Sequence, residues 1–292
     1  MDVVLPGRVA IVTGASKGIG RAIALELAAA GADLVVNARG PDALDAVASE
    51  IRRLGRRAEA VAADVATPEG ARRVVERTRE HFGRIDVLVN NAGKGAPKKL
   101  LDLTEDDWHA SFELNFMSAV RLSVACVPLM QAQGGGRIIN ISSRVGRQPD
   151  PYFAPYAAAK AALINFTKNL ANAFSKDGVL SNCIVPGLVR TEAVEEAARA
   201  SAAVTGKTVS EVFAATLAKR PIPVTVRAGW SIEPEYGEPL ATEASNAAES
   251  STQSRKRLPI WRCWAAAKSG LTSTSPARCG SGIRPASNWG RP

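Results

Sequence analysis

A short β-rich run, Arg8-Val-Ala-Ile-Val-Thr13, passes directly into Gly14-Ala-Ser-Lys-Gly18-Ile-Gly20, and a helix-forming stretch from Arg21 to Ala30 follows at once. That order of strand, glycine turn and helix constrains the fold more than any other feature of the chain. Glycines let the backbone turn tightly and approach an anion closely, and the free N–H groups and positive dipole end of the following helix meet the anion's charge. The unit is read as the first βα step of a parallel sheet, with a phosphate cradle formed by Gly14, Ser16, Lys17, Gly18, Ile19 and Gly20.

The alternation continues. Strand signals at 8–13, 33–37, 58–63, 85–89, 137–142 and 179–185 are separated by helical stretches reaching 30, 54 and 81, by a long helix over 105–132 and by another over 155–175. Right-handed crossovers then place helices on both faces of a parallel sheet, giving an α/β, doubly wound, Rossmann-like fold with three αβα layers. Pro128 falls inside the long helix and is expected to kink it or end it early. With 292 residues, 46% of them hydrophobic, the chain can bury a full core. Residues 1–220 are read as one catalytic and dinucleotide-binding domain and 221–292 as an atypical, irregular tail.

Chemistry enters with Tyr156-Ala-Ala-Ala-Lys160. In a helix, side chains four apart lie on one face, so the Lys160 ammonium can sit beneath the Tyr156 ring. A free tyrosine titrates near pKa ~10; a fixed cation favours the phenolate, and a drop of roughly one to three units would make the hydroxyl a working acid or base near neutral pH. Ser143 stands thirteen residues upstream, just past the apolar run Arg137-Ile-Ile-Asn-Ile-Ser142. Active groups in open α/β sheets collect at such carboxyl ends of strands.

Gly-x-x-x-Gly-x-Gly together with Tyr156-x-x-x-Lys160 resembles the short-chain dehydrogenase/reductase family, over a span from about Gly7 to about Pro221. The resemblance implies a catalytic set of Ser143, Tyr156, Lys160 and Asn115. Ser143 and Tyr156 would bind the substrate carbonyl, with Tyr156 as proton donor. Lys160 would lower the phenol pKa and hold the nicotinamide ribose, and Asn115 would hold, through its backbone, a water that resupplies the proton. It further implies cofactor contacts from Asp64 and Val65 to the adenine, from Asn91, Ala92 and Gly93 to the ribose, and from Pro186, Gly187, Val189 and Thr191 to the nicotinamide carboxamide. A homo-oligomer is also implied.

Cofactor choice follows charge. An acidic residue after the second strand binds the 2′-hydroxyl of NAD, whereas arginine accommodates the extra phosphate of NADP. Here the segment reads Val35-Val36-Asn37-Ala38-Arg39, with Ala38 where NAD users carry Asp, and Lys17 adds a second cation. NADP(H) is therefore expected over NAD(H). Lys94 to Lys99, Arg144 to Phe153 and the segment after Thr191, with Val194, Ala197, Ala198, Val212, Phe213 and Leu217 at helical spacing, should line the substrate pocket. The resemblance implies a small-molecule ketone or alcohol substrate, or an acyl thioester such as the 3-oxoacyl groups many relatives reduce. Against the latter, Leu122 to Gly136 contains no basic residue.

The opening Met-Asp-Val-Val-Leu-Pro-Gly lacks a basic leader and no membrane span is apparent, which suits a cytoplasmic protein. Cys126, Cys183, Cys263 and Cys279 are scattered without metal-site spacing and are expected to be reduced thiols; no metal site is expected. After Pro221 the family pattern stops: an amphipathic helix and a seventh strand are missing, and four of the five tryptophans and eight of the seventeen prolines fall beyond residue 220. One reading is a basic accessory tail, with nine Lys+Arg against five Asp+Glu over 221–292, although a nucleic-acid partner is not expected. The other, favoured by the abruptness of the change, is a shifted reading frame in the encoding DNA. Either would remove a region relatives use for tetramer packing and leaves open a second reading, a dinucleotide-binding but inactive or sensing protein.

Overall fold

The computed structural model describes residues 4–218, 225–227 and 232–233. Six strands, β1 (Val9–Thr13), β2 (Asp33–Ala38), β3 (Ala58–Ala62), β4 (Val87–Asn90), β5 (Gly136–Ile141) and β6 (Val179–Ile184), form one parallel sheet in the order β3-β2-β1-β4-β5-β6. Every residue of β1 and the first five of β2 are buried, as a sheet covered on both faces requires. On one face Ile11, Val35, Leu88 and Ile138 meet α3 (Pro68–Phe82), α5 (Ser118–Ala132) and α6 (Ala154–Phe174). On the other, α1 (Gly18–Ala29) and α2 (Pro41–Arg53) lie against β1, β2 and β3. The order reverses between β1 and β4, where α/β sheets open a binding crevice at their strand carboxyl ends.

Local signals set the helix ends. Thr67 caps α3 by accepting from the Gly70 N–H at 3.0 Å, Pro68 opens it, and Gly83 ends it at φ +72°. Thr104 and Asp107 form a reciprocal capping box ahead of α4 (Glu105–Phe112). The long helix expected over 105–132 is present but interrupted: α4 passes through a π-helical turn, Glu113–Met117, into α5. Pro128 does not end it, for α5 continues to Ala132. The carbonyl that loses its intrahelical donor is that of Val124, an exposed residue, where solvent can replace the missing bond. This stretch, Glu105–Ala132, is long and apolar enough to cross a membrane, yet it packs against α3, α6 and two central strands.

Beyond β6 the chain forms β7 (Val189–Arg190), α7 (Glu192–Thr205) and α8 (Val209–Ala218). Two short strands of the tail, β8 (Thr225–Arg227) and β9 (Ile232–Glu233), join β7 in a small separate sheet. Among the described residues nothing pairs with the outer edge of β6. The remaining calls on 221–292, including Cys263, Cys279 and the tryptophans beyond 220, lie outside the described residues.

Candidate active site

The glycine turn is built for close approach. Gly14 and Gly18 have φ of +63° and +58°, and a Cβ on Gly20 would stand 2.2 Å from the Gly14 carbonyl oxygen and 2.5 Å from Asn91 Nδ2. No side chain caps α1 and its first turn holds no acidic residue, so the donor end of the helix carries no anion of its own. Asn91 Nδ2 donates to the Thr13 and Gly14 carbonyls at 2.9 and 3.2 Å, and the Asn91 and Ala92 N–H groups both donate to Thr13 Oγ1 at 3.0 Å. The ends of β1 and β4 are thereby locked together beneath the cradle. This geometry fits a dinucleotide pyrophosphate.

At the far end of β2, Arg39 follows the strand directly and is exposed, as is Lys17 in the glycine turn. Asp64 makes an Asx turn, accepting from the Ala66 N–H at 3.0 Å, while its carbonyl accepts from Thr67. Its local role is thus that of a turn former, and Val65 beside it is buried.

Ser143, Tyr156 and Lys160 converge as the spacing predicts. Ser143 leaves β5 and starts a 3-10 turn, Arg144–Gly146, and its hydroxyl accepts from the Val145 N–H at 3.4 Å on the side of the Tyr156 phenol. On α6 the Lys160 ammonium lies 5.7 Å from the Tyr156 ring centroid and donates to the Ile141 carbonyl at 2.8 Å. Lys160 is 2% exposed, and burial brings its pKa down from 10.5 to about 8. The phenol corrects the expectation from sequence: burial pushes the Tyr156 pKa up from its ordinary value, with the Ser143 hydroxyl pulling it partly back. Desolvation of the half-buried ring is the dominant cause. In the ligand-free chain the phenol is a proton donor at neutral pH.

Asn115 sits in the π turn, and its side chain is fully engaged. Oδ1 accepts from the Lys94 N–H at 2.9 Å; Nδ2 donates to the Lys94 and Ser111 carbonyls at 3.1 and 2.9 Å. Gly93 lies against it, since a Cβ there would stand 2.7 Å from Asn115 Oδ1 and 3.1 Å from Lys160 Nζ. The Asn91–Gly93 turn thus meets the lysine. Pro186 ties the loop after β6 to the serine turn, its carbonyl accepting from the Arg144 N–H at 3.1 Å. Thr191 caps α7 by accepting from Val194 N–H at 3.4 Å.

Comparison with known proteins settles the kinship: a family model described as short chain dehydrogenase matches residues 8–202. The chain belongs to the short-chain dehydrogenase family. Over 192 residues, 65% of this chain and 78% of the relative, it is 44% identical to a 3-oxoacyl-[acyl-carrier-protein] reductase of Synechocystis sp.. Over 186 residues, 64% and 75% of the two chains, it is 39% identical to the protein of that name from Escherichia coli. Among solved structures it resembles L-sorbose reductase from Gluconobacter frateurii complexed with NADPH and L-sorbose, with a TM-score of 0.76 and 39% identity over 78% of this chain and 88% of that one. The short-chain dehydrogenases are nucleotide-binding oxidoreductases, and the Rossmann-like sheet described above is theirs.

Several residues that shape this dehydrogenase site were not visible as such in the sequence. Thr13 and Asn37 read as strand residues, but Asn37 Nδ2 clasps β3 through the Val61 and Ala63 carbonyls at 2.9 and 3.0 Å. Asn90, Ser123, Asn140 and Thr167 form a buried polar chain under the site, with Asn90 donating to Asn140 at 2.8 Å and Asn140 to Thr167 at 2.9 Å. Gly146 lets the serine turn rest on α6, since a Cβ there would come within 2.9 Å of the Lys160 backbone. Gly95 accommodates Phe153, whose ring packs edge-on to Tyr156 at 6.4 Å. Of the residues expected to line the substrate pocket, Lys98 is bound to Asp107 at 2.6 Å, and Ala198 and Phe213 are buried, with Arg190 over the Phe213 ring.

Proposed function

We propose that this chain is an NADP(H)-dependent oxidoreductase that interconverts a ketone and a secondary alcohol. The observation that carries this is the buried Lys160 ammonium, set between the Tyr156 ring and the Gly93 turn at the edge of the glycine cradle. Gly14, Gly18, Gly20 and the start of α1 would hold the pyrophosphate, Arg39 and Lys17 the 2′-phosphate, and Asp64, Val65, Asn91–Gly93, Lys160 and the Pro186–Thr191 loop the remainder. When bound, the cofactor supplies the hydride. Ser143 and Tyr156 then hydrogen-bond the carbonyl oxygen, and Tyr156 delivers its proton to that oxygen as negative charge develops there. Lys160, protonated below about pH 8, stabilises the resulting phenolate. Because the Asn115 side chain is committed to Lys94 and Ser111, its part in proton resupply falls to the main chain of the π turn. In the oxidative direction the phenol must first lose its proton, so alcohol oxidation should rise toward alkaline pH.

The names borne by relatives select the first substrates to try, a 3-oxoacyl thioester and a ketose such as L-sorbose. The test pairs thermal shift with NADPH and with NADH against cofactor oxidation over a panel containing both, a steroid ketone and a small aliphatic ketone. Stabilisation by NADPH together with turnover of a panel member supports the proposal. Stabilisation without turnover of any member sinks it in favour of a binding protein, and preference for NADH sinks the cofactor choice. Size-exclusion with light scattering on the same sample tests the homo-oligomer that the family implies.

A further inference from the structure

The donor end of α1 is occupied from elsewhere in the chain. The Gly18 N–H donates to Oε2 of Glu192 at 3.1 Å, across 174 residues of sequence. Glu192 is the first residue of α7 and is exposed; Thr191 beside it, with its hydroxyl turned to its own helix, lies over the same turn. A Cβ on Gly18 would stand 3.4 Å from Thr191 Cγ2 and 3.8 Å from Glu192 Oε2. The neighbouring carboxylate on α7, Glu195, is engaged by Arg190 at 2.9 Å and Arg199 at 3.2 Å, whereas Glu192 reaches the cradle.

We propose that Glu192 is a built-in competitor for the cradle. Its carboxylate takes up an N–H that the pyrophosphate of a dinucleotide needs, and the two anions cannot share one donor without repulsion. Cofactor binding therefore displaces Glu192, and the displacement unhooks the first turn of α7 from α1. This makes Glu192 a determinant of cofactor affinity that lies outside the glycine motif. The inference rests on the dinucleotide reading of the cradle given above.

The test uses the full chain and its Glu192→Ala and Glu192→Gln variants, titrated with NADPH by nicotinamide fluorescence and followed by thermal unfolding with and without NADPH. A surface charge at a helix N-terminus predicts roughly two- to fivefold tighter NADPH binding by the alanine variant. The glutamine variant, which keeps the shape and a neutral acceptor, should fall between. The alanine variant should unfold at a slightly lower temperature than wild type when NADPH-free but not when saturated, a split that a purely structural role would not give. Equal or weaker NADPH binding by the variants overturns the competitor. Absence of NADPH binding by wild type and variants alike overturns the dinucleotide reading as well.

Discussion

Replacing Lys160 by methionine should change stability in a manner that depends on pH in one direction only. The ammonium is 2% exposed, with the Ile141 carbonyl as its hydrogen-bond acceptor, and its pKa is lowered from 10.5 to about 8 by burial. Below about pH 8 the folded chain carries the full cost of the buried cation. Between about 8 and 10.5 the unfolded chain still holds a proton that the folded chain has released, so the wild type gains stability as pH rises through this window. At about 1.4 kcal/mol per pKa unit, the fall from 10.5 to about 8 corresponds to about 3 kcal/mol. For a domain of this size that is roughly 5–10 °C in Tm. Paired thermal unfolding of ligand-free wild type and Lys160→Met, followed by circular dichroism from about pH 7 to about pH 10, reads this group together with the Cys183 thiol to which it is electrostatically coupled. The wild-type Tm should rise relative to the variant by that amount. A gap that stays constant across the range would refute the argument that Lys160 is a desolvated cation.

Three further outcomes follow from close approaches and charge. Gly20→Ala forces a Cβ to within 2.2 Å of the Gly14 carbonyl oxygen, so it should cost about 1–3 kcal/mol in thermal unfolding and weaken NADPH binding together. Gly146→Ala pushes the serine turn off the Lys160 backbone by a few tenths of an ångström; kcat should fall roughly tenfold while NADPH affinity holds, as measured by steady-state rates beside a binding titration. Arg39→Ser removes the cation that follows β2, and the preference for NADPH over NADH, read as a ratio of kcat/KM values, should drop by roughly tenfold or more.

Much of the fold was legible because its signals are local. Glycines at 14, 18 and 20 and the buried runs of β1 and β2 state a βα unit outright, and Tyr156 and Lys160 four residues apart on α6 need only a helix to meet. What the sequence hid depends on partners far along the chain. The π turn at Glu113–Met117 leaves no periodicity signal where the acidic start of α4 gives way to the apolar α5, yet it sets the surroundings of Asn115. Thr13 looks like an ordinary strand residue until Asn91 is brought beside it, and nothing local pairs Asn90 with Asn140. The direction of the Tyr156 shift was misjudged because spacing reveals the cation but not the burial. Glu192 could be flagged only as an acidic residue opening a helix, and its contact with Gly18 required the tertiary fold.

The central claim is that the Tyr156 hydroxyl is the proton donor of a nicotinamide-dependent reduction, and Tyr156→Phe tests it with least disturbance, because the ring and its contact with Phe153 remain. On the best substrate of the panel, kcat should fall by roughly 10²–10⁴-fold while NADPH affinity stays within about twofold of wild type. A variant that binds NADPH and turns over within about tenfold of the wild-type rate would contradict the account.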